Sequence, residues 1–395
     1  MILIDHPYVS DFLIETIKNN NFPVVATKAS KELITNNSLN WVSETEAVQK
    51  FKENPNQLIY SNSENVISWV ENNLNFTNLP SKIEVFKNKI KFRELLKDVY
   101  PNYFFKGVKY EDLNTININN LKFPFIIKPS IGFFSLGVHK VDEPSEWTEI
   151  LEKIHKEINH IKGFYPNEVL NTNNFIIEEC IEGEEFAIDC YFNTNGEAVI
   201  LNIMHHIFSS GKDVSDRIYS TSKEIIETNL PIIQPLVNTI GLKTDLKNFP
   251  IHIEVRIDKN GTIIPIEVNP MRFGGWCTTG DISWYAYGIN SYKYFLEQKK
   301  PNWNEILKTK ENKIYSLVLL DNNSGIEASN IESFNYEQLQ KDFEKPLILR
   351  IIDFNKFPVF GFLFTETTKG NEIELTTILS SNLTKYITPK SNNVW

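Results

Sequence analysis

A mixed α/β fold, opening on a parallel sheet covered by helices and closing on a β-rich region, is what this sequence of 395 residues predicts. Three observations carry that expectation. Over the first 80 residues, short apolar runs alternate with segments of helical period. Between residues 252 and 270 an Asn-Gly dipeptide separates two strand patterns. Beyond residue 310, short apolar runs divided by polar turns read as strands.

Taken in order, MILID precedes the helical pattern YVSDFLIETIKNN, FPVVAT precedes SETEAVQKFKEN, and QLIYSN precedes SENVISWVENN. This βαβαβα series calls for a parallel sheet and marks residues 1–84 as a first domain. Ser43 and Glu46 have the spacing of a capping box. The first strand-to-helix turn lacks glycine, which removes the close backbone approach that a dinucleotide pyrophosphate needs. From 85 to 165 come a basic helix (KNKIKFRELLKDV), a β-rich stretch with a glycine loop (FPFIIKPSIGFFSLGVHKV) and a helix (PSEWTEILEKIHKEI). Strands at 175–181, 186–192 and 197–206 follow, then a polar loop at 208–222, a helix, a hairpin at 251–269 and a closing helix near 284–297. Residues 301–395 form a β-rich C-terminal subdomain with strands YSLVLL, LILRIID, PVFGFLFTE and IELTTIL.

Composition narrows the partners. Hydrophobic residues at 41% and charged residues at 23% are ordinary for a soluble, folded chain. A formal net charge of -10 argues against a nucleic-acid partner, whose phosphates would ask for clustered Lys and Arg. Cys180, Cys190 and Cys277 form no C-x-x-C pair and sit among apolar residues, so reduced, buried thiols are expected in place of a disulfide framework or zinc site. The start, MILIDHPYV, has no basic region before a long apolar run. No stretch approaches the roughly 18 apolar residues of a membrane span. A cytoplasmic protein without a membrane partner is expected.

The hairpin carries the sharpest chemistry. With Asn260-Gly261 as a type I′ turn, Lys259 pairs with Thr262, and counting outward sets Glu254 opposite Glu267 and His252 opposite Asn269. Alternation puts His252, Glu254, Arg256, Glu267 and Asn269 on one face. Like charges directly opposite destabilise a sheet, so the facing glutamates call for a cation, with Asn269 adding a neutral oxygen. All-oxygen donors suit Mg²⁺ or Mn²⁺ and leave positions for phosphates. The alternative is an exposed hairpin whose glutamates splay into water.

Two further segments have weaker signals by themselves. Lys128 ends an apolar strand, and Gly132 and Gly137 bracket a loop in which the N–H groups of Phe134, Ser135 and Leu136 could line a phosphate. The G-x-x-x-x-G-K-[ST] order is missing, so this is no P-loop, and a structural turn is the competing reading. The stretch FIIEECIEGEEFAIDCYF runs from an apolar strand through an acidic segment into a second strand.

Together these segments, in this order over residues 85–300, resemble the ATP-grasp superfamily, which includes D-alanine:D-alanine ligase, biotin carboxylase and bacterial L-amino-acid ligases. The resemblance implies an ATP-grasp fold, with residues 1–84 as the pre-ATP-grasp domain and the subdomain at 110–180 as a nucleotide lid. It implies ATP as cosubstrate, held by Lys89 and Lys128, by the loop at Ser135 and Leu136, by Glu178 with the main chain of Glu179 and Ile181 at the adenine, and by Glu185 at the ribose. Glu254, Glu267 and Asn269 would hold Mg²⁺. The activity implied is an ADP-forming ligase that joins a small carboxylic acid to an amine through an acyl phosphate, under a lid bearing Phe133 and Phe134. Bicarbonate activation, phosphorylation without ligation and nucleotide sensing without turnover stay open, as does a homodimer. Related ligases often place arginine two residues after the metal-binding asparagine; here Met271 stands there and Arg272 follows. Arg272, ahead of Gly274-Gly275, is expected to anchor the acid, helped by Arg256 and by a loop carrying Asp213, Asp216, Arg217 and Tyr219. The alternative pairs Arg272 with an acidic neighbour. His252 either orients a ligand or is a satisfied strand histidine.

Overall fold

A computed structural model of the chain describes residues 1–35, 38–132, 137–161, 171–209 and 215–390. Near the N-terminus four two-residue strands, Ile2–Leu3, Val24–Val25, Trp41–Val42 and Tyr60–Ser61, form a parallel sheet in the spatial order third, second, first, fourth. Trp41–Val42 has no counterpart in the sequence reading, because two residues are too few to display alternation. The intervening helices start on hydroxyl caps. Ser10 Oγ accepts the Leu13 N–H at 3.1 Å, and Ser43 Oγ accepts that of Glu46 at 3.2 Å.

A second sheet, wholly antiparallel, orders Phe105–Lys109, Asn171–Glu179, Phe125–Ile131 and His139–Val141. Helix Trp147–Ile161 covers it with a stripe at helical spacing, Trp147, Ile150, Leu151, Ile154 and Ile158, packed on Phe125, Ile127, Phe175 and Ile177.

The third sheet has eight antiparallel strands, in the order Ile263–Pro270, Phe249–Ile257, Glu184–Phe192, Ala198–Ile207, Ile218–Ser222, Lys313–Asp321, Val359–Thr368 and Pro346–Ile351. It runs without a break from the hairpin into the C-terminal region. Helix Lys223–Thr244 lies over Ala198–Ile207 and buries Ile226, Ile233, Val237 and Ile240. Gly241 permits that approach, since a Cβ there would come within 2.2 Å of the Phe192 ring.

Three sequence expectations change. The polar loop at 208–222 contains the strand Ile218–Ser222. The closing helix is two helices, Thr278–Tyr287 and Ser291–Leu296, parted at Gly288, whose φ of 71° ends the first. IELTTIL is the helix Ile373–Leu379 and not a strand. Its β-branched residues suggested a strand, but burial follows a helical period, with Leu375 and Ile378 inside and Ile373 71% exposed. Among the described residues no helix is long and apolar enough to cross a membrane. Cys190 and Cys277 are buried and Cys180 half-buried, all as free thiols.

Candidate functional site

The hairpin strands Phe249–Ile257 and Ile263–Pro270 set Glu254 opposite Glu267 and His252 opposite Asn269, the pairs reached by counting. The route to that register differs. Gly261 takes a φ of 79° while Asn260 stays at negative φ, so the turn is not type I′. Gly261 N–H donates to the Asp258 carbonyl at 2.9 Å, and Asp258 Oδ1 accepts the Asn260 and Thr262 N–H groups at 2.8 Å each. Leaving this turn, Val255 pairs with Pro265, one residue out of the counted register. A β-bulge then inserts Ile266 and restores it at Glu254–Glu267.

The neighbouring strand Glu184–Phe192 extends this face. His252 pairs with Asp189, Glu254 with Ala187, and Arg256 with Glu185. A further strand adds His206 opposite Glu185. One sheet surface therefore presents Asp189, Glu185, His252, Glu254, Arg256, Glu267, Asn269 and His206.

Each charge on this surface has an identifiable partner or perturber. Burial and the facing Glu267 raise the Glu254 carboxyl above the usual range. Burial also pushes Glu267 upward, but Lys89, then Lys87 and Lys128, more than offset it and bring it to about 2. One carboxylate is thus held ionised by lysines while its neighbour is pressed toward protonation. Burial disfavours the His252 imidazolium, yet its bond to Asp189 and its approach to Glu254 prevail and raise it to about 9. Its Nδ1 lies 2.7 Å from Asp189 Oδ1 and its Nε2 3.6 Å from Glu254 Oε1. Asp189 Oδ1 also accepts the Gly274 N–H at 3.1 Å. Gly274 must be glycine because a Cβ would sit 2.4 Å from the His252 ring. That accounts for half of the Gly-Gly pair by packing rather than by approach of a ligand.

The donor set fits Mg²⁺. Among the described residues no three His, Cys, Asp or Glu side chains converge as a metal cage. Two carboxylates, 23% and 28% exposed, and the Asn269 amide beside them, 3.3 Å from Glu267, are the sparse protein share that Mg²⁺ takes when substrate phosphates and waters complete its shell.

The expected nucleotide residues gather beside this face. Asn88 caps helix Lys89–Leu95, accepting the Ile90 and Lys91 N–H groups, and Lys89 points its Nζ to within 3.4 Å of Glu267 and 3.5 Å of the Gly132 carbonyl. Lys128 Nζ meets Glu178 Oε1 at 2.6 Å, and Arg93 Nε meets Oε2 of the same carboxylate at 2.7 Å. Burial opposes ionisation of Glu178, but Arg93 and Lys128 bring it down to about 2. At the expected adenine main chain, the Glu179 N–H donates to Phe104, its carbonyl accepts from Tyr103 OH at 3.2 Å, and the Ile181 carbonyl accepts from Arg256 at 2.7 Å. Glu185 is shared by His206 Nδ1 at 2.8 Å and Arg256 Nε at 3.0 Å. Ser135 and Leu136 lie outside the described residues, as do Phe133, Phe134 and Asp213.

Arg256 and Arg272 do not come together. Arg256 is committed to Glu185 and Ile181. Arg272 leaves the other end of the hairpin, two residues beyond Pro270, whose partner Ile251 is five residues, roughly 16 Å at about 3.3 Å per residue, along the strand from Arg256. There its Nη1 donates to the Phe273 carbonyl at 3.0 Å and its Nε lies 3.6 Å from Glu64, which Lys87 also holds, at 2.5 Å. Met271, with a φ of 64°, accommodates the one-residue offset, and its carbonyl accepts the Ser61 N–H at 2.8 Å. In the polar loop, Tyr219 OH donates to Asp216 and Arg217 pairs with Asp321.

Sequence reasoning missed Asp189, His206 and Glu64 as parts of this region, and placed Arg93 one turn after Lys89 without assigning it a partner. A usable signal existed for the first: an aspartate inside the apolar run FAIDCYF, in phase with Glu185. Lys128→Ala is expected to weaken ATP binding about tenfold, the worth of one charge-assisted hydrogen bond, without altering amine dependence. Calorimetry with ATP checks it, and unchanged affinity would make Lys128 only a partner of Glu178.

Residues 121–280 match the family model of the ATP-grasp domain. The D-alanine–D-alanine ligase A of Bacillus cereus is 30% identical over 169 residues, 41% of this chain and 49% of that protein. The D-alanine–D-alanine ligase of Bacillus anthracis matches to the same extent, so the chain spans about half the length of these curated relatives. Among solved structures, the L-amino acid ligase from Bacillus licheniformis superposes with a TM-score of 0.68 at 20% identity, covering 98% of this chain and 97% of that one. Biotin carboxylase from Campylobacter jejuni gives 0.64 at 12% identity, covering 93% and 87%. The N5-carboxyaminoimidazole ribonucleotide synthetase from Thermotoga maritima gives 0.62 at 14% identity, covering 98% of both. At such identities the likeness is one of fold. Residues 121–280, which include the strands Phe125–Ile131 and His139–Val141 and the hairpin with Glu254 and Glu267, thus match the ATP-grasp domain, and the fold is shared with these structures along nearly the whole chain.

Proposed function

We propose that the chain is an ATP-dependent, ADP-forming ligase that activates a small carboxylic acid for attack by an amine. The observation carrying this reading is the sheet face on which Glu254 stands opposite Glu267, with Lys89 Nζ 3.4 Å from Glu267. A carboxylate is a poor electrophile and oxide a poor leaving group. Attack of the acid's oxygen on the γ-phosphorus, with departure of ADP, cures both. The amine nitrogen then attacks the acyl carbon, phosphate leaves with the electrons of the C–O bond, and the nitrogen gives up a proton.

Held by Glu254, Glu267 and Asn269, Mg²⁺, or Mn²⁺ in its place, would supply charge neutralisation at the γ-phosphate. Lys89 and Lys128 present fixed positive charge to the oxygens of the departing ADP. Glu178 faces the adenine, and Glu185, oriented by His206 and Arg256, takes the ribose hydroxyls. Arg272 grips the acid's carboxylate at the end of the metal strand, where its side chain is 16% exposed. On this reading residues 1–84 are the pre-ATP-grasp domain, 85–300 the ATP-grasp domain with its lid at 110–180, and 301–395 a C-terminal subdomain that shares the large sheet. The partners are a small acid and an amine, and the site of action is the cytoplasm.

Release of ADP and phosphate that needs Mg²⁺, an amino acid or peptide-like acid and an amine together tests the proposal across a panel of amino-acid pairs. Release with bicarbonate alone would replace it with bicarbonate activation, and ATP binding without turnover would replace it with a nucleotide sensor. Once an active acid is known, Arg272→Lys is expected to lower acid-dependent ADP release about tenfold, since a point charge replaces a two-pronged grip, with ATP affinity unchanged. An equal loss in ATP affinity would move Arg272 to the nucleotide.

A further inference from the structure

Arg93 lies one helical turn after Lys89 and is 4% exposed. Its guanidinium reaches two distant elements. Nε donates to Glu178 at 2.7 Å, Nη1 to the Pro265 carbonyl at 2.5 Å and Nη2 to the Ile266 carbonyl at 3.3 Å. Its face lies 4.9 Å from the ring of Tyr103, whose hydroxyl donates to the Glu179 carbonyl.

The two carbonyls are those of the bulge. An inserted strand residue interrupts the ladder and leaves backbone groups in need of other partners. Arg93 provides donors for both. The consequence concerns register. If the pairing set at the turn continued without the bulge, Glu254 would face Ile266 and Glu267 would face Ile253. Because strand faces alternate, a slip of one residue would turn the Glu267 side chain to the opposite, core-facing side of the sheet. The metal pair exists because the bulge exists.

We propose that Arg93 is a positioning residue that fixes this bulge, holding Glu267 beside Glu254 with one edge of its guanidinium while the other sets Glu178 at the nucleotide base. One buried side chain thereby registers the metal end of the site against the adenine end. The proposal rests on the ATP-grasp reading above. Its rival is that Arg93 is merely a counterion for Glu178. A lysine could serve as counterion but cannot reach a carboxylate and two carbonyls at once.

Arg93→Lys in the full chain separates the two. ADP affinity in EDTA is read by calorimetry, Mn²⁺ affinity of the ADP-bound protein by electron paramagnetic resonance, and amide hydrogen exchange at Ile266 and Glu267 by mass spectrometry. The expected result is metal-free ADP affinity near that of the unaltered protein, Mn²⁺ affinity about tenfold weaker, the usual cost of removing support from a metal ligand, and faster exchange at the bulge. Unchanged Mn²⁺ affinity, or an equal fall in metal-free ADP affinity, would overturn the proposal in favour of the counterion role. If the unaltered protein binds neither ADP nor Mn²⁺, the ATP-grasp reading itself fails and takes the proposal with it, a result distinct from one confined to the variant. Deleting Ile266 is a second route. It joins Pro265 directly to Glu267 and so keeps Glu267 opposite Glu254 without a bulge; Mn²⁺ binding in that background should no longer depend on Arg93, and a further tenfold loss on adding Arg93→Lys would overturn the argument from register.

Discussion

Replacing Glu267 with glutamine is expected to lower nucleotide-dependent phosphate release about a thousandfold, the scale seen when a preorganised electrostatic element is removed from a reacting centre. The change keeps shape and deletes one charge from a pair held directly opposite each other. In the metal-free protein the same deletion relieves repulsion. Burial and Glu267 together raise the Glu254 carboxyl, so removing the second contribution lets Glu254 ionise more readily. Lys89 loses a partner 3.4 Å away, a partial offset. The stability change should therefore be small, within the ~1 kcal/mol of a cross-strand pair, while catalysis collapses. Phosphate release, Mn²⁺ titration and thermal melting on one preparation give the comparison. Full turnover at saturating ATP would dismiss the metal assignment.

Arg350→Leu should have the largest effect on stability. Arg350, on strand Pro346–Ile351, ion-pairs through Nη2 with Asp281 of helix Thr278–Tyr287 and lies 4.7 Å over the Phe364 ring. Asp281 is fully buried and also accepts from Tyr292 OH. Leucine would leave this carboxylate charged and without its cation, at a cost of about 3–5 kcal/mol. Burial already raises the Asp281 carboxyl, with Arg350 the chief counterweight, so its loss raises the group further. A carboxyl whose folded pKa exceeds its unfolded value stabilises the fold at low pH and loses that contribution as pH rises through the folded value. The deficit relative to the unaltered chain should hence shrink on acidification. Denaturant midpoints at several pH values measure it, and Asp281→Asn in the same chain should recover much of the loss. A deficit independent of both pH and Asp281 would assign it to lost packing on Phe364.

How far the sequence could be read depended on the range of the forces involved. The Glu254–Glu267 pairing was legible because a hairpin is local and Asn260-Gly261 marks its centre. Even there the turn type was wrong and the bulge unseen, and the two errors cancelled at the residues that matter. The Asp189–His252 bond joins residues 63 apart through a strand pairing that no local pattern encodes. Arg256 shares a face with Glu254 and Glu267 as alternation requires, yet alternation says nothing about which end of the strand it serves. Ile373–Leu379 misled because β-branched composition outweighed a burial period visible only over a single turn.

The large sheet ends in two edge strands, Ile263–Pro270 and Pro346–Ile351. The first contains IIPIEV, an apolar stretch that would invite another chain to add itself to the unpaired side. Pro265 and Pro270 have no N–H to offer such a chain, the bulge breaks the flat repeat, Glu267 places charge on the edge, and helix Leu79–Lys87 packs against it. The features that set Glu267 opposite Glu254 also defend the strand against aggregation. Changes that regularise this strand should therefore cost solubility.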